Sequence, residues 1–282
     1  MAIQRVAIVG AGAMGGMYAA HFAAGGFDVG FVARGARAER LRGGLTVNGT
    51  LLRADVIDPD AATPADLALF AVKDFQLADA LTDAAGVVGS GTPVLSVMNG
   101  LDSEERIAAA FPDADGVRFR QAGTLAFGRP DGVVDEVVAG VAAALDRAGL
   151  AWVTPPDMRH RLWWKFMVNV GINQASAMLR APYGAFQSAG EARDLMWTLM
   201  GEVLLISAAE GVPLGDADLQ AWDAVLANQP PAGMTSMHQD VEAGRRTEVA
   251  SFAGRVVELG RRHGVPVPRN EEMLAWFGDM AT

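Results

Sequence analysis

"RVAIVGAGAMGGMYAAHFAAGG", residues 5–26, decides the fold. Residues 3–9, "IQRVAIV", form a short apolar run with the length and β-branched content of a buried strand. Gly10, Gly12 and Gly15 follow in G-x-G-x-x-G spacing, and "MYAAHFAAGG" then carries a helical pattern. Strand, glycine turn and helix in that order begin a βαβ unit. Gly10 permits the tight turn, and Gly12 lets the backbone approach a pyrophosphate. The motif opens a helix, and the pyrophosphate charge then sits at that helix's N-terminus. The stretch therefore points to a dinucleotide site; an ordinary glycine-rich βα turn is the alternative.

The same alternation continues downstream. "DVGFVAR" at 28–34 reads as a second strand, and Asn48-Gly49 within "GLTVNGTLLRADV" at 44–56 is a hairpin signal. "DLALFAVK" at 66–73 is a further buried strand, followed by a helix to about residue 85. "TPVLSVMNG" at 92–100 is another, and a helix then starts with Asp102 or Ser103 as its cap. Strands alternating with helices predict a parallel, doubly wound sheet. From about residue 135 the character changes. "VVAGVAAALDRAGLAW" at 137–152 reads as helical, "TPPD" at 154–157 as a break, and helical patterns cover 158–179, 190–210, 216–228 and 240–263. The predicted organisation is an α/β domain over 1–154 and an all-helical domain over 155–282.

Bulk properties exclude some functions. The 282 residues carry a net charge of −10, which disfavours nucleic acid or an anionic membrane as partner. A small anionic substrate needs a local cationic pocket. Cysteine is absent, so thiolate chemistry is excluded. The four histidines, His21, His160, His238 and His263, show no metal-ligand spacing, so no metal is expected. No apolar run reaches 18 residues and the first residues lack a signal-peptide core, so the cytoplasm is the expected location.

Strand ends supply the candidate residues. Arg34 stands where an NAD site wants an acid, and a guanidinium suits a 2′-phosphate, which favours NADP(H). Lys73 and Asn99-Gly100 close successive strands at the sheet edge where ligands bind in open α/β folds. In "WWKFMVNVGINQ", 163–174, Lys165, Asn169 and Asn173 recur every four residues and share one helix face. Their apolar neighbours Trp163, Phe166, Met167 and Val170 favour a stripe facing a cleft over a solvated face. In "TSMHQDVEAGRRTEVASFAG", 235–254, Ser236 suits an N-cap, and Asp240 and Glu248 suit surface charges or a site.

Taken together, "AVKDFQ", "NG" at 99–100, "LWWKFMVNVGINQ" and "SMHQDVEAGRRTEV" resemble the ketopantoate reductases (2-dehydropantoate 2-reductases) over nearly the whole chain. The resemblance implies a Rossmann-type domain plus a helical domain, with the active site in the cleft between them. It also implies NADPH-dependent reduction of 2-dehydropantoate on the route to pantothenate and coenzyme A. Carried over, Lys165 is the general acid, Asn99 an active-site asparagine near nicotinamide and substrate, and Glu248 and Ser236 hold substrate. Asn169 and Asn173 are substrate-side asparagines. Gly10, Gly12, Ala13, Met14, Gly15, Arg34, Lys73 and Asn99 bind the cofactor. The partner implied is a small anionic 2-oxo acid, and the apolar character of the helical half leaves room for a homodimer. Another 2-oxo acid, or a regulator that binds NADP without turnover, are the alternatives. Three departures stand out. The 117–132 stretch is short for the family, which implies a reduced or rebuilt part of the sheet. Gly233 replaces an asparagine that some members have, and Ala250 an aspartate that many have.

Overall fold

The structure is a computed structural model that describes residues 2–112, 114, 118–119, 124–129 and 131–279. The chain divides into two compact units, residues 1–158 and 159–282.

The first unit runs β1 (Arg5–Val9), α1 (Ala13–Ala24), β2 (Asp28–Val32), α2 (Gly35–Arg42), β3 (Leu45–Val47), β4 (Thr50–Leu52), β5 (Asp55–Ile57), β6 (Leu67–Phe70), α3 (Leu77–Ala84), β7 (Val94–Ser96) and α4 (Ser103–Ala110). It continues with β8 (Arg118–Phe119), β9 (Leu125–Gly128), α5 (Glu136–Arg147) and β10 (Trp152–Val153). Five strands form a parallel sheet in the order β5-β2-β1-β6-β7. Successive strand residues face opposite sides, so β1 sends Val6 and Ile8 into one core and Ala7 and Val9 into the other. The first core gathers Phe22, Phe31, Leu69, Val141 and Leu145, and the second Phe70, Leu77, Val87 and Ile107. Burial on both faces explains why the strands read as continuous apolar runs rather than alternating ones. The order of β2 and β6 either side of β1 makes the β1/β6 boundary the switch point, where ligands bind in such sheets. The Asn48-Gly49 turn joins β3 to antiparallel β4 with φ of 48° and 80°, as a two-residue hairpin of this kind requires.

A second sheet has the order β10-β9-β8, with β9 antiparallel to β8 and parallel to β10. The 117–132 stretch thus contains both β8 and β9; within it, residues 117, 120–123 and 130 lie outside the described residues. The helix expected through residue 152 stops at Arg147. Residues 152–153 are a strand, because Gly149 at φ 66° turns the chain after α5 and Trp152 then pairs beside Leu125.

The second unit is helical: α6 (Met158–Val168), a π-helical turn (Asn169–Asn173), α7 (Gln174–Leu179), α8 (Glu191–Ala209), α9 (Asp216–Ala227), α10 (Ser236–Glu242), α11 (Ala253–His263) and α12 (Pro268–Asp279). The expected single helix over 240–263 is broken. Gly244 adopts φ 61°, and the Arg245 N–H donates to the Asp240 carbonyl at 2.8 Å, so α10 stops and α11 begins afresh. Helix α12 had no counterpart in the sequence reading. Its first turn is capped from α8, where the Glu202 carboxylate accepts from the Arg269 and Asn270 amides at 2.8 and 3.0 Å.

Candidate functional site

In the first unit, four candidate segments lie just beyond the carboxyl ends of four adjacent parallel strands. Gly10 follows β1, Arg34 follows β2, Lys73 follows β6 and Asn99 follows β7. Gly10 adopts φ 109°, and a Cβ there would meet the Ala71 carbonyl oxygen at 2.6 Å. A Cβ on Gly15 would fall 1.8 Å from the Gly10 oxygen, so helix and turn approach too closely for any other residue. Gly12 differs: it is the N-cap of α1, and a Cβ on it would have no atom within 4 Å. No side chain caps α1 and no acid occupies its first turn. The amides of Ala13, Met14 and Gly15 therefore present positive dipole ends with space above Gly12. That combination fits a pyrophosphate.

Arg34 is half-exposed and is the N-cap of α2. Its Nε donates to Asp83 Oδ1 at 2.7 Å and its Nη2 lies 3.5 Å from Asp60 Oδ1. These carboxylates hold the guanidinium at the edge of the sheet, and an incoming phosphate has to compete with them. Lys73 opens a single 3₁₀ turn, its amide donating to Gln76 Oε1 at 3.2 Å. Arg106 of α4 ties to Asp74 at 2.6 Å and so braces this turn against the helix that follows Asn99. Below Asn99 runs a buried chain that the sequence reading missed. Ser96 Oγ lies 3.2 Å from Ser103 Oγ, which donates to Glu104 Oε2 at 2.8 Å. Ser96 and Ser103 sit on different elements, so spacing gives no hint of their contact. Asp102 is the N-cap of α4, but its side chain makes no capping bond.

In the second unit, the stripe at 165–173 is not a solvated face. Asn169 and Asn173 are buried, at 8% and 7% exposure, and Lys165 is partly buried. Asn173 Nδ2 donates to Asn169 Oδ1 at 3.1 Å. The turn carrying them is π-helical, a rare geometry that recurs at functional sites. An α-helical i+4 step overshoots a full turn by about 40°. The wider π turn winds less per residue, which opposes that overshoot, and the two amides meet. Gln174 secures the end of the turn. Its Nε2 donates to the Val170 carbonyl at 2.9 Å and to Asn270 Oδ1 at 3.1 Å, and its Oε1 accepts from the Ala253 amide at 3.2 Å. Gly171 lets α8 pack close, since a Cβ there would meet Met200 at 2.5 Å.

Helix α10 packs against α7 and the π turn. Ser236 is not its N-cap. Thr235 holds that place and its Oγ1 accepts from the His238 amide at 3.2 Å, which leaves Ser236 exposed in the first turn with no capping duty. Asp240 is buried and bonded to Arg245 Nε at 2.8 Å, a structural role. Glu248 is buried at 4% exposure, contrary to a surface charge. Ala250 is exposed. Gly233 has no room for a side chain, since a Cβ would lie 2.9 Å from the Tyr183 ring. Burial pushes the Tyr183 hydroxyl pKa up. Among the described residues no group of His, Asp or Glu could hold a metal ion, and no helix is long and apolar enough to cross a membrane.

Two family models match, ketopantoate reductase PanE/ApbA over residues 6–130 and its C-terminal counterpart over 157–280. The chain belongs to the ketopantoate reductase family. A 2-dehydropantoate 2-reductase of Archaeoglobus fulgidus is 30% identical over 97% of both chains. One from Halobacterium salinarum is 31% identical over 75% of this chain and 74% of its own. The crystal structure of 2-dehydropantoate 2-reductase from Geobacter metallireducens superposes with a TM-score of 0.85 at 27% identity, covering 99% of this chain and 100% of that one. A D-mandelate dehydrogenase bound to NADH and anilino(oxo)acetate shares the fold at 19% identity and a TM-score of 0.84. Membership in the ketopantoate reductase family supports an oxidoreductase that acts on a small 2-oxo acid with a nicotinamide cofactor.

Proposed function

We propose that this protein reduces the ketone of 2-dehydropantoate to pantoate with NADPH. The observation that carries the reading is the buried asparagine pair aligned behind Lys165 on the α6–π-turn stripe. A stripe of one cation and neutral amides, in otherwise apolar surroundings, suits a reaction that develops negative charge on one oxygen. When bound, the nicotinamide supplies the hydride.

The residues of the first unit hold that cofactor. The α1 amides and the space over Gly12 take the pyrophosphate, Arg34 takes the 2′-phosphate in exchange for Asp83, and Lys73 adds charge beside it. Asn99 orients the nicotinamide and the substrate. The residues of the second unit handle the keto acid. Hydride addition at the carbonyl carbon leaves charge on its oxygen. The Lys165 ammonium stabilises that charge and donates the proton that completes the alcohol. Asn169 and Asn173 orient polar groups of the substrate without a competing charge. Ser236 and Glu248 hold its hydroxyl.

Gly233 beside Tyr183 favours a second reading, in which a related 2-oxo acid is the substrate: an aromatic ring fills the space next to the chain there. NADPH oxidation against a panel of 2-oxo acids tests both readings. The proposal requires 2-dehydropantoate to have the highest kcat/KM; a bulkier 2-oxo acid at the top selects the second reading, and no turnover with any member removes both.

A further inference from the structure

Arg161 stands one four-residue step before Lys165 on α6, so the polar stripe starts a turn earlier than Lys165. Its guanidinium carbon lies 4.7 Å from the centre of the Trp164 ring. Trp164 is itself buried and fixed, its indole Nε1 donating to the Asp218 carbonyl at 3.0 Å. A planar cation laid on an anchored indole keeps a defined orientation. Among the described residues this guanidinium has no ion pair and no hydrogen bond; the nearby Asp218 carboxylate serves His160 at 3.3 Å and the Gly215 amide at 2.9 Å instead. Partial burial lowers the Arg161 pKa, with no carboxylate acting against that effect. A half-desolvated cation with no counter-charge among the described residues calls for an external anion.

We propose that Arg161 is the anchor for the substrate carboxylate, gripping it bidentately one helical turn from Lys165. The inference deepens the proposed function and rests on it. In a 2-oxo acid the carboxylate and the reacting carbonyl are neighbours. Residues at i and i+4 on a helix have Cβ atoms about 5–6 Å apart, and their long side chains lean toward the helix N-terminus. Arg161 and Lys165 therefore address adjacent groups of one small molecule. Two cations here also supply the local field that an anion needs to approach a chain of net charge −10. The planar fork of arginine matches a carboxylate in a way that lysine does not, which makes Arg161 a selector for acids over neutral ketones.

The experiment compares 2-dehydropantoate with its neutral methyl ester in the wild type, Arg161→Ala, Arg161→Met and Arg161→Lys. Methionine keeps an aliphatic stem over Trp164 if alanine fails to fold. The neutral variants should raise KM for the acid about 10- to 150-fold, the size of one charge-assisted contact. The ester should change little, so the acid-to-ester preference should fall by the same factor, with NADPH affinity unaltered and partial recovery in the lysine variant. An unchanged preference in folded Arg161→Ala or Arg161→Met overturns the anchor while leaving the reductase intact. A wild type that reduces no 2-oxo acid overturns the reductase reading and the anchor with it.

Discussion

Replacing Gly12 by alanine separates a glycine kept for the fold from one kept for a ligand. The backbone at Gly12, φ −82° and ψ −169°, is open to alanine, and the added methyl touches nothing within 4 Å. The only structural cost is a poorer N-cap, on the order of 0.5–1 kcal/mol. For a unit of this size that lowers Tm by about 1–4 °C. The methyl occupies the space over the α1 amides, so one charge-assisted bond to the pyrophosphate is lost. That costs about 1.5–3 kcal/mol, or roughly 10- to 150-fold in NADPH affinity. Gly15→Ala is the control for the opposite case: its Cβ would fall 1.8 Å from the Gly10 oxygen, so the turn has to open and stability falls as well. Isothermal titration with NADPH beside thermal melts reads both quantities. A Gly12→Ala protein that binds NADPH as the wild type does would refute the pyrophosphate cradle.

Arg34→Ala should weaken NADPH about 10- to 150-fold and NADH little, by titration of each cofactor; equal losses would remove the 2′-phosphate role. Ser236→Ala should raise the keto acid KM at unchanged Tm, whereas Thr235→Ala should cost about 1 kcal/mol of stability, because Thr235 and not Ser236 caps α10. The Asp135 carboxylate, bonded to the Val138 amide at 2.9 Å and to Arg129 at 2.7 Å, is held below the ordinary aspartate range, first by the amide. Its contribution is present above the ordinary aspartate pKa and lost as pH falls through the lower folded value. Asp135→Asn should therefore flatten the fall of Tm in melts between about pH 6 and about pH 3.

The parallel sheet was legible because its evidence is local. Apolar runs, the Gly10–Gly15 spacing and the Asn48-Gly49 turn each act within a few residues. The positions of Arg34, Lys73 and Asn99 at strand ends along one sheet edge were legible for the same reason. What escaped depends on distant partners. Helix α12 starts where Glu202, 67 residues away, caps it, and no local signal announces that. The Ser96–Ser103–Glu104 chain closes only once β7 and α4 are placed. The four-residue spacing of Lys165, Asn169 and Asn173 showed a shared face but not the π turn, which Gln174 holds through Asn270 and Ala253. Thr235 and Ser236 are both good caps, and only the bond to the His238 amide decides between them.

The role proposed for Lys165 is donation of the proton to the carbinol oxygen. Its most direct test is the steady-state kcat of Lys165→Ala with 2-dehydropantoate, with NADPH binding measured separately by fluorescence. Proton donation and oxyanion stabilisation are each worth about 10²–10⁴-fold but are not additive when one group supplies both. The predicted result is a kcat lower by at least about 10²-fold with NADPH affinity nearly unchanged. A folded Lys165→Ala protein that binds NADPH and keeps more than about a tenth of the wild-type kcat would contradict it.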